Sequence, residues 1–304
     1  MTKKILIINA SKKDFFLPEK EEKEIMPPGE SEGEDTSAGE ALQDADAQDT
    51  AEEIMTGSEY EISGFRAEHE GELSRIEKLM LFLRETEKDD YSGIVIFSEK
   101  QAAKWIAAFM SFLLCDIAIP VISADIDASE KLLKKSRKLI FAGLAPNVYL
   151  LENGSGKKAS LSLGSHIGAE SAGNIVFPGI KDNKKLFKKC AKFSDKRFFS
   201  RVIFMNTIKK LDGNVLFVRE YPGMDYSRLP LFGVKAVIFK GISSGKVPEY
   251  LAYECYRRGI SVFSENNISA KALYAKAVIG VSIGFRGKDL SKFIDEEINN
   301  EYTV

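Results

Sequence analysis

The chain has 304 residues, 44% of them apolar and 29% charged, with a formal net charge of −2. That composition excludes a wholly disordered chain and can bury the cores of about two domains. The longest apolar stretch, 102–123, is broken by Lys104, Asp116 and Pro120, which excludes a membrane span and predicts a buried helix feeding a strand. The first element is a buried strand, Lys4 to Asn9, whose apolar run Ile5 to Ile8 is too short for a secretory signal, so a cytoplasmic protein is expected. Residues 19–60 follow with 15 Asp and Glu against Lys20 and Lys23, a local net of −13 that leaves +11 for the remainder. With Pro27, Pro28 and a Gly/Ser/Ala/Gln mixture, this segment is expected to stay solvated, either as an electrostatic cover over the basic remainder or as a passive insertion.

Glu72 to Glu85 carries Leu73, Ile76, Leu79, Met80 and Leu83 at helical spacing. A strand (Gly93 to Phe97), an apolar helix (Ala102 to Leu114), a strand (Ile119 to Ser123), a Lys-rich amphipathic helix (Ser129 to Leu144) and a strand (Asn147 to Leu151) complete a βαβαβ order. That order predicts a parallel sheet covered on both faces. A glycine-rich stretch from Glu152 to Ser200 marks the domain boundary. The alternation then resumes: strand Val215 to Tyr221, a short helix near Leu229, strand Ala236 to Phe239, helix Pro248 to Arg258, strand Ser261 to Phe263 and helix Asp289 to Asn299. The expected division is a first α/β domain from 1–18 and 61–170, the acidic insertion 19–60, a linker 171–200, and a smaller α/β domain 201–304. Ligands of such sheets bind beyond the carboxyl ends of the strands, so the loops after Asn9, Phe97, Ser123 and Leu151 are the places to seek chemistry.

Most local motifs weaken on inspection. Gly154-Ser155-Gly156-Lys157-Lys158 lacks the first glycine of a phosphate loop and the hydroxyl after its lysine. The Ser-x-x-Lys pairs Ser155/Lys158 and Ser243/Lys246 lie in glycine loops, where a serine–lysine dyad needs a helical turn. Cys115, Cys190 and Cys255 suggest buried small hydrophobes, and His69 and His166 surface side chains; no metal or cofactor is implied. Trp105, beside Ile106 and Phe109, reads as a core residue. The lysine runs at 134–138 and 184–189 have helical spacing without aromatic interleaving, so nucleic acid and membrane are not expected partners.

The second half carries the sharper pattern. A strand ending at Lys240 leads into Gly241-Ile242-Ser243-Ser244-Gly245-Lys246-Val247-Pro248, then a helix, then Arg258-Gly259-Ile260-Ser261-Val262-Phe263. Pro248 suits the first helical position and Gly259 a left-handed cap. In order and spacing this unit resembles the second domain of the bacterial-type L-asparaginases, with their Gly-Asn-x-Pro loop and Arg-Gly-Ile-x-Val turn. Val215-Leu216-Phe217 with Tyr221-Pro222-Gly223-Met224-Asp225, Asp90 to Ile96, Ala107 to Leu114 and Pro120-Val121-Ile122 are similar to further stretches of that family. The resemblance implies a two-domain asparaginase-like fold, with a larger parallel-sheet N-terminal domain and a smaller Rossmann-like C-terminal one. It also implies a homo-oligomer, dimer or tetramer, and hydrolysis of an asparagine or glutamine side-chain amide by a threonine nucleophile.

The departures fall on the chemistry. Where the family's strand is followed by His-Gly-Thr-Asp-Thr, this chain reads Ser98-Glu99-Lys100-Gln101-Ala102, so Lys100 and Gln101 occupy the Thr-Asp positions. A lysine is no alkoxide nucleophile, and Gln101 can neither act as a base nor balance a substrate ammonium. The expected Thr-Gly-Gly-Thr is replaced by Asn9-Ala10-Ser11-Lys12-Lys13, with Ser11 the one nearby hydroxyl. The family's substrate-carboxylate contact falls near Glu68, His69 and Glu70, and its lysine corresponds to Lys157 or Lys158. In the loop corresponding to the one that reaches a neighbouring subunit in that family, Ser244-Gly245-Lys246, a lysine replaces the asparagine. The expectation is therefore a catalytically degenerate or altered-ligand member, with Ser11, Lys100, Gln101, Lys157 and Lys158 as the vestigial catalytic positions and Asn9, Ser98, Glu99 and His69 beside a small amino-acid-like or anionic ligand. The alternative is an amidohydrolase of the same fold with a divergent catalytic set.

Overall fold

The computed structural model describes residues 4–11, 13, 60–63, 65, 71–86, 90–115, 117–153, 159–166, 175–176, 208–242, 246–265, 268–296 and 298. Nearly all of the acidic segment 19–60 lies outside them, as do His69, Lys157, Lys158, Cys190, Ser244 and Gly245. Among the described residues ten strands form two sheets. The first contains β1 (Lys4–Asn9), β2 (Tyr60–Ile62), β3 (Tyr91–Ser98), β4 (Val121–Asp125), β5 (Val148–Asn153), β6 (Ala159–Leu163) and β7 (Ile175–Val176) in the order β2-β1-β3-β4-β5-β6-β7. The pairings from β2 to β5 are parallel, while β6 and β7 add an antiparallel edge. The sequence pattern had predicted only the parallel part; the antiparallel edge lies in the glycine-rich stretch, where no periodicity survives.

Alternation along β1 and β3 sends side chains to two separate cores. Ile5, Ile7, Val95 and Phe97 join one core, packed under helix α3 (Ser129–Phe141), through Leu132, Leu133, Leu139 and Ile140. Leu6, Ile8, Ile94 and Ile96 join the other, under α1 (Glu72–Glu85) and α2 (Lys100–Leu113). Beyond its first turn α2 is almost wholly buried, because the sheet covers one side and α5 (Ala270–Ile283) the other. Gly164 is set so closely against α2 that an added Cβ would lie 2.3 Å from the Ala107 carbonyl oxygen, a position only glycine can fill.

The second sheet is parallel, in the order β10-β9-β8, from β8 (Val215–Arg219), β9 (Ala236–Lys240) and β10 (Ser261–Ser264). Helix α4 (Glu249–Arg257) packs on one face through Leu251 and Cys255, and α5 covers the other. The α2/α5 core is continuous from Leu6 and Ile94 in the first sheet to Ala236 and Ile238 in the second. Trp105 sits edge-on to Phe217 and Tyr274 where the two sheets' helices meet. Gly223 (φ +81°) closes the turn after Tyr221, and Gly259 (φ +68°) ends α4 in the left-handed region.

Several expectations need correction. Pro248 is the N-cap and not the first helical residue, since its ψ of 138° is extended. The short helix near Leu229 is a single 3-10 turn, Tyr226–Arg228. The last helix, α6, runs Gly287–Asp295 and not to Asn299. Cys255 is buried, but Cys115 is only half-buried. Helix α5 was not anticipated at all. It contains Lys276, 0% exposed, whose ammonium donates to the carbonyl oxygens of Ile294 (2.8 Å) and Glu296 at the end of α6.

Candidate functional site

The chain leaves β1 for β2 on one side and returns to β3 on the other, so the sheet order reverses between β1 and β3. At such a switch point the two following loops part and leave a crevice at the carboxyl ends of the strands. Asn9 closes β1, with its Oδ1 accepting from the Ser11 amide at 2.9 Å and its Nδ2 donating to the Lys13 carbonyl at 2.9 Å. This Asx turn aims Ser11 across the crevice. The Ser11 hydroxyl donates to Glu99 Oε1 at 3.1 Å and accepts the Lys13 amide at 2.9 Å. Ser11 itself is buried, at 6% exposure.

Glu99 is the N-cap residue of α2, and its second oxygen accepts from Arg75 Nη1 at 2.8 Å. Arg75 rises from the first turn of α1 and is 4% exposed, with Glu72 4.0 Å from Nη2. The crevice is thus bridged from β1 to β3 and on to α1 by Ser11, Glu99 and Arg75. Two buried polar atoms there lack a hydrogen-bond partner, Arg75 Nε and Ser98 Oγ. Ser98 ends β3 on the same sheet face that α1 covers. On the other flank Lys13 pairs with Asp127, whose amide donates to Asp125 Oδ1 at 3.2 Å beyond β4. That hydrogen bond to Asp127 holds the Lys13 ammonium above the usual lysine value.

Among the expected site residues, the structure brings Asn9, Ser11, Ser98 and Glu99 together at the switch point. Lys100 and Gln101 open α2 and are exposed to solvent. Lys246 is exposed, three residues before α4. The sequence reading passed over Arg75, Lys13 and Asp127. Arg75 did leave a signal: a guanidinium within the apolar stripe of α1, one residue before Ile76 and four before Leu79. Thr86 is the only threonine among the described residues, and its hydroxyl donates to the Phe82 carbonyl at 2.8 Å. It lies at the opposite end of α1 from Arg75, roughly 15 Å away along the axis. Among the described residues no three His, Cys, Asp or Glu side chains converge to hold a metal ion.

Solved structures align over the whole chain. L-asparaginase I from Vibrio cholerae O1 biovar eltor superposes with a TM-score of 0.59 at 13% identity, covering 100% of both chains. The thermostable L-asparaginase of Thermococcus kodakarensis gives 0.56 at 15%, covering 99% of each. A protein described as a probable cytoplasmic L-asparaginase from Campylobacter jejuni gives 0.57 at 12%, covering 99% of this chain and 100% of its own. The chain has an L-asparaginase-like fold. The sequence matches no protein-family model and no curated protein. The asparaginase-like fold accounts for the pairing of a larger, mostly parallel sheet with a smaller parallel one. No described helix is long and apolar enough to cross a membrane.

Proposed function

We propose that this asparaginase-fold protein does not hydrolyse asparagine or glutamine, and that it is a non-catalytic or altered-ligand member of that structural group. The observation that carries this reading is the hydroxyl of Ser11. It is tied at once to Glu99 and to the Lys13 amide, and Glu99 is itself held by a buried guanidinium. A serine nucleophile needs a base that can take its proton and an oxygen lone pair free to attack. Here one of the hydroxyl's two lone pairs is taken by a backbone N–H, and its proton points at a carboxylate already held by Arg75. Lys100 and Gln101 stand where the family resemblance puts its second threonine and aspartate, and losing cooperating groups of that kind leaves little beyond background rate. The ligand suited to the vestigial site is small and amino-acid-like or anionic, with Lys100 its exposed cation. The protein is read as cytoplasmic and homo-oligomeric, without nucleic acid or membrane among its partners.

Ammonia release from a panel of side-chain and small amides tests the reading directly. No turnover of L-asparagine or L-glutamine is expected. The 3.1 Å contact between Ser11 and Glu99 favours one rival, an amidohydrolase in which Ser11 attacks and Glu99 receives its proton. Turnover abolished by Ser11→Ala and by Glu99→Gln would establish that rival and discard the non-catalytic reading. Calorimetric titration with acetate, aspartate and inorganic phosphate tests the ligand class, with weaker binding expected for Lys100→Ala; equal binding would remove Lys100 from the site.

A further inference from the structure

We propose that the basic outer side of α3 is the docking surface for the chain's own acidic segment, residues 19–59. The inference is independent of any activity at the β1–β3 crevice. Helix α3 sets Lys131, Lys134, Lys135 and Lys138 at i, i+3, i+4 and i+7, all on one side, while Leu132, Leu133, Ser136, Leu139 and Ile140 are buried against the sheet. Four ammonium groups therefore follow one another along about 10 Å of helix axis. With Glu130 they line a surface groove of ≈ 370 Å³, and Glu130, 3.0 Å from Lys134, is the helix's only acid. Like charges at this spacing repel and favour opposite charge alongside; Lys131 also donates to Asn153 Oδ1 at 2.7 Å. Burial, and behind it the Lys131 ammonium, draw Lys135 below the usual lysine value.

The occupant is identified by where the chain enters and returns. On the entering side Lys13 pairs with Asp127, two residues before α3 begins. On the returning side the Tyr60 ring lies 5.8 Å from the guanidinium carbon of Arg137, on α3 itself, with Phe141 5.7 Å from the same carbon. The two anchor points are roughly 15 Å apart along the helix. Both ends of the connecting stretch thus lie within reach of the lysine row, and residues 19–60 carry a net of −13. Tethering at both ends gives an effective concentration on the order of millimolar, which an outside polyanion must exceed to compete. Exposed ion pairs are individually weak and salt-screened, so the contact is a set of exchanging pairs and needs no fixed fold in the segment.

Zero-length carbodiimide coupling on the unaltered full chain, mapped by mass spectrometry, reads the contact. Mixing isotope-labelled with unlabelled chains separates links within a chain from links between copies. Acids of 19–59 are expected to join Lys131, Lys134, Lys135 and Lys138 about tenfold more often than the exposed Lys209, Lys210, Lys288 and Lys292. The preference should vanish at about 0.5 M salt. A second arm replaces the four α3 lysines by glutamine and compares a control with the same change at Lys209, Lys210, Lys288 and Lys292. Cleavage within 19–59 by a glutamyl endopeptidase should accelerate severalfold in the first variant and not in the control. Equal linking to the two lysine sets, links chiefly between labelled and unlabelled copies, or unchanged cleavage in the α3 variant would each overturn the proposal. So would tight binding of a single-stranded oligonucleotide to the full chain that the α3 substitutions abolish, because the surface would then belong to an outside polyanion.

Discussion

Helices α2 and α3 cover opposite faces of one sheet, yet only α2 is buried nearly all round. The second sheet and α5 close over α2, whereas the lysine side of α3 is only half-covered, with Lys134 and Lys138 exposed to solvent. Their compositions follow from that difference. Helix α2 can carry four alanines and two phenylalanines because both its sides meet apolar neighbours. Helix α3 must be amphipathic, and what it shows to water is charge. One face of the sheet is thus committed to joining the two halves of the molecule, and the other is left to carry electrostatics.

If that contrast holds, changes on the α2 side should be costly and changes on the outer side of α3 nearly silent. The largest effect is expected from Gly164→Val, which forces side-chain atoms into the Ala107 carbonyl. A loss of about 3 kcal/mol or more is expected in urea denaturation; a small shift would show that α2 is packed less tightly than its neighbours indicate. Next comes Arg75→Met, which leaves Glu99 without its guanidinium. Since the Glu99 side chain is 35% exposed, water relieves part of the penalty and about 1–2 kcal/mol is expected. Adding Glu99→Gln should restore much of it, and a double-mutant cycle without coupling would separate the two residues energetically.

Asp212, on the same side of the molecule, should give a smaller, pH-dependent effect. Burial would raise its carboxyl, but the bond from Lys235, the Asn214 amide and the charges of Lys235 and Arg286 together bring it below the ordinary value of 3.8. Its contribution is therefore complete above that value and is lost as pH falls through the lower folded-state value. Asp212→Asn should flatten the acid limb of the stability curve, measured between neutral pH and pH 3, and an unchanged limb would contradict the assignment. The smallest effect belongs to α3: glutamine at Lys131, Lys134, Lys135 and Lys138 together should move stability by no more than about 0.5 kcal/mol at high salt. A larger loss would mean that this face is structural after all.

The legible parts of the fold were those whose side chains report burial locally. Strands β1 and β3 carry unbroken apolar runs, Ile5 to Ile8 and Ile94 to Phe97, and α1 and α3 have clean helical stripes. Helix α5 was missed because Ala270 to Ile283 is buried on almost every side and has no stripe to read. In the candidate site, Asn9, Ser11, Ser98 and Glu99 were reachable because strand ends fix loop positions in an open sheet. Arg75 was not, since a long polar side chain on a helix ordinarily marks the surface. It becomes interior only through Glu99, 24 positions further along the chain.

Lys276 gives the molecule a trimming limit. Its charge is enclosed in the core and relies on two main-chain oxygens contributed by residues 294 and 296. A premature stop ahead of Ile294 would remove both, together with part of the apolar cover that α6 lays over α5. Carboxypeptidase digestion of the folded protein should accordingly stall no later than Ile298, itself buried in the same core, and chains shortened past Ile294 should be recovered as degradation products and not as stable species.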